Sequence, residues 1–303
     1  MRVKIIGKSY SQLEESIASA SGAITAETDD ADALVVSHSG SAQQLLEDLH
    51  AAPQIRWVQL PSAGIERFTD SLKAHPNLHW TSAKGAYALP VGEHALALTL
   101  ALLRRLHTRA RARSWGSAAG TSLHGLRAVV LGAGGVALET VRLLKCFDTH
   151  VTVVRRRPGA AEGADKTLTT DELSAHLPQA DVVILAAALT DSTRGIIGAE
   201  ALDLLPEHAV VVNVGRGGLI DTDALVSALQ QGRLAGAALD VTDPEPLPED
   251  HALWTEPRAL ITPHTADTME MIQPLYADRV AENITRLRAR EPLVGVVDPE
   301  AGY

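Results

Sequence analysis

Along the first ninety residues, short apolar runs alternate with stretches whose apolar positions recur at helical spacing. VKIIG, ALVVSH (Ala33 to His38), IRWVQL (Ile55 to Leu60) and LHWTSA (Leu78 to Ala83) read as strands, with SYSQLEESIASA and GSAQQLLEDLH as helices between them. This pattern predicts a small parallel-sheet domain. A helix is expected from Pro90, because proline is tolerated in a first helical turn and Glu93 suits the positive end of the dipole. Its alanines and leucines leave little polar face, which predicts burial between domains or subunits. After a Ser-, Gly- and Ala-rich loop at Ser114 to His124 a second series follows: RAVVLGA, HVTVV, DVVILAA, AVVVNV, AGAALDV and ALIT. Six strands with crossovers predict a doubly wound sheet. From Thr268 to Arg290 the residues Met271, Ile272, Leu275, Val280, Ile284 and Leu287 mark a last helix, expected to return to the first domain.

Composition narrows the classes. The chain has 303 residues, 46% of them hydrophobic, enough for two cores. A net charge of −10 argues against nucleic acid as the main partner. The single cysteine, Cys146, excludes an intramolecular disulfide and a cysteine-rich metal site, and suits a reducing compartment. His75 and His79 are four apart, but Pro76 between them makes a helical metal pair untenable, so no metal is expected. The start, MRVKIIG, is interrupted by Lys4 and reads as a strand rather than a signal peptide. The apolar helical stretch Ala95 to Leu103 is far below membrane-spanning length. The expectation is a soluble, cytoplasmic protein with no membrane partner.

VVLGAGGVALETVRLL sets Gly132, Gly134 and Gly135 directly after a strand and before a helix. A tight turn at Gly132, close backbone approach to a pyrophosphate at Gly134, and amides at the helix start through Gly135 and Val136 suit a dinucleotide. The third fingerprint position is Ala137, which packing tolerates. The expected fold class is therefore α/β, two Rossmann-like domains with doubly wound parallel sheets. Residues 95–270 would bind the dinucleotide, and residues 1–94 with 271–303 would form a smaller, discontinuous substrate domain. The residue ending the second strand chooses the cofactor: a carboxylate there suits a ribose 2′-hydroxyl, cations a 2′-phosphate. Arg155, Arg156 and Arg157 stand at that point, and Asp148 precedes the strand. The reading favours NADP over NAD, against the alternative of three solvated arginines on a turn.

Three further segments carry chemistry: NVGRGGLID with Arg216, DVTDPEPLP with Glu245 and TPHTA with His264. Each follows an apolar run read as a buried strand, so parallel pairing would bring all three to the carboxyl edge of one sheet. Reduction of a 2-keto acid needs that set: a cation to grip the carboxylate and polarise the carbonyl, an imidazolium to protonate the new alkoxide, and a carboxylate to hold the imidazolium. Pro244 and Pro246 stiffen the loop around Glu245. Singly, each residue has a plain structural explanation; their order and positions make the constellation.

VNVGRGGLIDTDAL, LDVTDPEPLP and ITPHTA resemble the D-isomer-specific 2-hydroxyacid dehydrogenase family, in the same order, and the likeness runs from LPSAGIERF through KGAYALPVGEHALAL to the terminal VVDPEAGY. The resemblance implies Arg216 as the substrate-orienting cation, His264 as proton donor and Glu245 as its partner. It also implies that the backbone of Ser62, Ala63 and Gly64 binds the substrate carboxylate, that Asp240 holds the nicotinamide amide, and that Val214 and Ala266 lie close to that ring. A small substrate such as glyoxylate or hydroxypyruvate, a homodimer and a cleft that closes on substrate are further expectations.

The sequence departs from the family pattern at Ala188, where proline is common, at Ala137, and at Asp267, where glycine is common. Asp267 is expected to cap the last helix, with an effect on substrate charge preference as the alternative. Rival readings are a nucleotide-sensing protein like the C-terminal-binding-protein corepressors, and a specialised phosphoglycerate or formate dehydrogenase relative. Disordered tails and a regulatory domain, which those readings call for, are not expected of this chain, and a general 2-keto acid reductase is the preferred reading. The basic stretch LLRRLHTRARARSW (Leu102 to Trp115) reads as a solvated or inter-subunit face.

Overall fold

A computed structural model describes residues 1–298, so the end of the VVDPEAGY segment, residues 299–303, lies outside the described residues. The chain divides into two compact units, Met1–Tyr87 with the segment from Thr268 onward, and Ala88–Asp267. The division falls a few residues before the expected 94/95 and 270/271, because each of the two helices at the crossings belongs whole to one unit. No helix among the described residues is long and apolar enough to cross a membrane.

In the first unit the elements run β1 (Arg2–Ile6), α1 (Ser11–Ser19), β2 (Ala23–Ile24), β3 (Ala33–Val36), α2 (Ala42–Ala51), β4 (Trp57–Gln59), α3 (Thr69–Ala74) and β5 (His79–Thr81). The sheet is parallel in the order β2-β1-β3-β4-β5, one strand more than the four expected. The extra strand, β2, is two exposed residues long, too short to leave a periodic signal. The returning helix of this unit, Met269–Ala289, packs on α1 and secures the carboxyl ends of the sheet. Its fully buried Tyr276 donates a 2.6 Å hydrogen bond to the Val36 carbonyl, Arg279 donates to the carbonyls of Ser82 and Lys84, and Asn283 donates to Gln59 Oε1 at 2.9 Å. Gln59 Oε1 also accepts from Thr81, whose hydroxyl in turn accepts from Trp57 Nε1. A buried polar chain of this kind is stabilising only when every member is partnered, as here.

The second unit opens with α4 (Ala88–Leu103) and α5 (Leu106–Arg109), then β6 (Arg127–Leu131), α6 (Gly135–Lys145), β7 (His150–Val154), β8 (Lys166–Leu168), α7 (Leu173–His176), β9 (Val182–Leu185), α8 (Ala199–Leu204), β10 (Val210–Asn213), α9 (Thr222–Gln230), β11 (Gly236–Leu239) and β12 (Ala259–Ile261). The helix Met269–Ala289 completes the series as α10. Helix α4 starts at Ala88, two residues before Pro90, which still leaves the proline within the first turn. It packs along α6 and reaches β10 and β11. At Gly92 the two helices approach so closely that a β-carbon would sit 2.7 Å from Glu139 Cγ.

The sheet has seven parallel strands in the order β12-β11-β10-β9-β6-β7-β8. Six were expected; the seventh, β8, is the polar triplet KTL at the edge, whose only buried side chain is Leu168. Strands β6 to β8 build outward one way and β9 to β12 the other. The order therefore reverses between β6 and β9, the place where open sheets of this kind hold ligands. Val129, Leu131, Val183, Leu185, Val211 and Leu239 fill the core on one side of the sheet.

Candidate active site

The glycine turn stands at that reversal. Gly132 has φ +112°, and a β-carbon on it would come 2.5 Å from the Ala186 carbonyl oxygen just beyond β9, so both its conformation and its neighbour demand glycine. Gly134 precedes α6 with extended backbone and no side-chain cap, and a β-carbon there would meet nothing within 4 Å. The helix start at Gly135 and Val136 thus faces open space with its amides uncapped, a cradle suited to phosphate. Ala137, at the third fingerprint position, is fully buried. The Gly132 amide donates to the Val154 carbonyl at 2.8 Å, which ties this turn to the end of β7. Arg155 follows directly, half-buried with its Nε unpartnered, and Arg156 and Arg157 are exposed beside it. Asp148 lies before β7 and pairs with His124 at 2.9 Å, away from the carboxyl edge.

On the other arm of the sheet, β10, β11 and β12 are adjacent and in register, with Asn213 opposite Leu239 and Leu239 opposite Ile261. Arg216, Asp240 with Glu245, and His264 therefore leave the carboxyl ends of three neighbouring strands. Asn213 sets the Arg216 turn, accepting from the Gly215 amide at 3.0 Å and donating to the Arg216 carbonyl at 2.9 Å. The guanidinium is half-buried and donates to the Gly215 carbonyl. His264 Nδ1 meets Glu245 Oε1 at 2.6 Å, with both side chains about half exposed: 48% and 42%. A carboxylate acceptor at Nδ1 requires a proton on that nitrogen and leaves Nε2 to exchange a proton with a ligand.

His264 adopts φ +51°, a conformation that costs a side-chain-bearing residue about 1–2 kcal/mol. Asp240 holds it there. Its carbonyl accepts from the His264 amide at 2.8 Å, and its carboxylate accepts from the Thr262 hydroxyl (2.6 Å), the Thr265 amide (2.9 Å) and the Ala266 amide (3.2 Å), with His94 Nε2 at 3.3 Å. Burial alone would raise the Asp240 carboxyl, but the bonds from His94, Thr262, Thr265 and Ala266 outweigh it and bring the pKa down to about 2. Asp240 is 2% exposed, and Val214 and Ala266 are also buried. The carboxylate expected to meet the nicotinamide amide is thus already engaged with its own loop.

Asp267 does not cap α10. The position before that helix is Thr268, and no side chain caps it. Asp267 is half-buried instead; burial pushes its carboxyl up, opposed by the charges of His264 and Arg216 and reinforced by Asp240. Its charge is coupled to those of His264, Asp240 and Arg216.

In the first unit, the Ser62–Gly64 turn follows β4, with the Ser62 hydroxyl donating to the Gly64 carbonyl at 2.6 Å. Tyr87 donates to the Pro61 carbonyl at 2.5 Å and lies 2.9 Å from His38 Nε2. Because the phenolic proton is engaged at Pro61, His38 is the donor to Tyr87, and burial lowers its pKa. His38, His94, Asn213 and Thr262 were missed by sequence reasoning. The one available signal was polarity out of place: a histidine in an apolar helix and an asparagine ending VVVN.

A parallel sheet that reverses at a glycine turn, with a protonatable pair and a guanidinium at its carboxyl edge, is the architecture of a dinucleotide-dependent enzyme. Residues 96–266 match the NAD binding domain of the D-isomer specific 2-hydroxyacid dehydrogenases. An uncharacterized protein in the proB 3′ region of Corynebacterium melassecola is 40% identical over 279 residues, 90% of each chain. Glyoxylate/hydroxypyruvate reductase A of Salmonella choleraesuis is 29% identical over 265 residues, 84% of each. The crystal structure of a D-isomer specific 2-hydroxyacid dehydrogenase from Xanthobacter autotrophicus, in complex with NADPH and MES, matches with a TM-score of 0.85 at 25% identity, covering 100% of this chain and 99% of that one. The chain belongs to the D-isomer specific 2-hydroxyacid dehydrogenase family and is an NAD(P)-dependent oxidoreductase.

Proposed function

We propose that the chain reduces a small 2-keto acid, of the glyoxylate or hydroxypyruvate kind, to its D-2-hydroxy acid, with NADPH preferred over NADH. The observation that carries the reading is the His264–Glu245 pair at 2.6 Å, on the loops that follow β12 and β11, the two strands next in line to β10, whose end presents Arg216. When bound, the nicotinamide supplies the hydride. His264 donates the proton that converts the developing alkoxide to a hydroxyl, a contribution typically worth about 10²–10⁴-fold. Glu245, accepting at Nδ1, keeps the imidazole oriented with Nε2 free to face the substrate. Arg216 grips the substrate carboxylate and polarises the carbonyl. By the same resemblance, the amides of Ser62, Ala63 and Gly64 take the substrate carboxylate, the second unit binds the dinucleotide and the first binds substrate.

Gly132, Gly134, Gly135 and Val136 are the proposed pyrophosphate contacts, and the open space over Gly134 supports this. Arg155 and Arg156 are proposed to meet the 2′-phosphate, supported by the bond from the Gly132 amide to the strand end that Arg155 follows. Val214, Asp240 and Ala266 are assigned to the nicotinamide end. The protein is proposed to work in the cytoplasm as a homodimer, which sedimentation at micromolar concentration tests. Initial rates with a panel of 2-keto acids, each against NADPH and NADH, test the activity. The expected result is turnover of glyoxylate or hydroxypyruvate with NADPH; no turnover of any 2-keto acid would overturn the reading.

A further inference from the structure

We infer that His94, on α4, is a positioning residue for His264, acting through Thr262 and Asp240. The inference rests on His264 as the proton donor and goes beyond it by naming what holds that donor in place. His94 Nε2 lies 3.0 Å from Thr262 Oγ1 and 3.3 Å from Asp240 Oδ1, and Thr262 lies 2.6 Å from the same carboxylate oxygen. A carboxylate pKa of about 2 leaves Asp240 ionised and able only to accept. The single Thr262 proton therefore points at Asp240, and His94 Nε2 carries the proton that it shares with Thr262 and Asp240.

The consequence is directional. With its lone pair engaged by His94, the Thr262 hydroxyl cannot rotate away from Asp240 without giving up a bond. Asp240 then keeps both ends of the loop, residues 262 and 264–266, under one set of hydrogen bonds. Those bonds hold His264 at φ +51°, the conformation in which its ring meets Glu245. Removing the His94 donor frees the hydroxyl, leaves the buried carboxylate short of one partner, and lets the loop relax toward ordinary φ values. The imidazole then spends less time aimed at the reacting oxygen. His94 hydrogen-bonds to neither His264 nor Glu245, so its effect reaches the proton donor through Thr262 and Asp240 and falls on the chemical step rather than on glyoxylate binding.

The test is steady-state reduction of glyoxylate by NADPH with His94→Phe, His94→Gln, Thr262→Val, His264→Ala and the double variant His94→Phe/His264→Ala. A displacement of this kind is expected to lower kcat by about 10- to 100-fold for His94→Phe and for Thr262→Val. KM for glyoxylate should stay within about twofold of wild type. His94→Gln, whose amide can donate, should recover most of kcat. In the His264→Ala background, His94→Phe should lower kcat no further, because a positioning residue has nothing left to position. Should His94→Phe not fold, Thr262→Val and the glutamine rescue carry the same comparison. Wild-type kcat in both single variants, a change in KM alone, or an additive loss in the double variant would overturn the inference. Wild-type turnover by His264→Ala would instead overturn the assignment of the proton donor.

Discussion

Gly217 lies against Thr242 so closely that a β-carbon on the glycine would overlap the Thr242 carbonyl. The first residue follows Arg216 and the second lies on the loop that carries Glu245, so backbone contact without any side chain couples the cation to the carboxylate. Thr222 adds a hydrogen bond to the Asp243 carbonyl at 2.9 Å on the same loop. The Gly217→Ala variant must push the two turns apart. Overpacking of this kind costs about 1–3 kcal/mol, and the displaced Arg216 should lower kcat/KM by about 10²-fold or more. Denaturant unfolding and steady-state rates check both; wild-type values in each would contradict the coupling.

The proposed chemistry concentrates on His264. Replacing it with alanine should reduce kcat by at least about 10²-fold while NADPH still binds, measured by fluorescence titration beside turnover. Arg216→Lys should also be damaging, because an ammonium cannot reproduce the planar two-point grip of a guanidinium on a carboxylate. Unchanged kinetics in either variant would remove that residue from the mechanism.

Cofactor choice is expected to turn on Arg155. A charge-assisted contact to a 2′-phosphate is worth about 1.5–3 kcal/mol, so kcat/KM should favour NADPH by roughly tenfold or more. Arg155→Asp should shrink or reverse that ratio by setting a like charge beside the phosphate. Equal kcat/KM for the two cofactors in the wild type would make these arginines surface charge.

Asp240 makes the fold sensitive to acid. Its carboxyl titrates at about 2 in the folded state against 3.8 ordinarily, so the unfolded chain binds the proton first as pH falls. The stabilisation, on the order of 2 kcal/mol, is complete above about pH 4 and is lost progressively toward pH 2. Asp240→Asn should lower Tm at pH 7 and flatten its decline between pH 4 and 2. A parallel decline in both proteins would show that other groups dominate.

Asp267 acts with the opposite sign. Its carboxyl is raised by burial, so as pH rises the unfolded chain loses the proton before the folded one does. The resulting penalty starts near the ordinary value of 3.8 and is full above the raised folded value. Asp267→Asn should therefore raise Tm at neutral pH, with the gain shrinking as the pH is lowered through that window. A constant difference across the range would mean that the carboxylate carries no such penalty.

The chain itself was sufficient for the main elements, for the glycine turn between β6 and α6, and for the placement of Arg216, Glu245 and His264 beyond the ends of neighbouring strands. Apolar runs, turn residues and motif order are local properties, and local properties survive in one dimension. The edge strands β2 and β8 escaped because, with two and three residues and mostly exposed side chains, they have no periodicity to read. Asp267 misled because a carboxylate just before a helix has the same local signature whether it caps the helix or, as here, is half-buried without capping it.

Only the tertiary structure decided what holds the site together. His94 reaches Thr262 across 168 residues, and Asp240 gathers the amides of residues 265 and 266 from 25 and 26 residues away. Likewise Tyr276 and Asn283 reach the ends of β3 and β4 across more than two hundred residues. Hydrogen bonds of this range depend on distances that exist only after the strands have paired in register, and no spacing along the chain encodes them. Sequence pattern determined which groups are available at the sheet edge; packing and long-range hydrogen bonding determined how they are aimed.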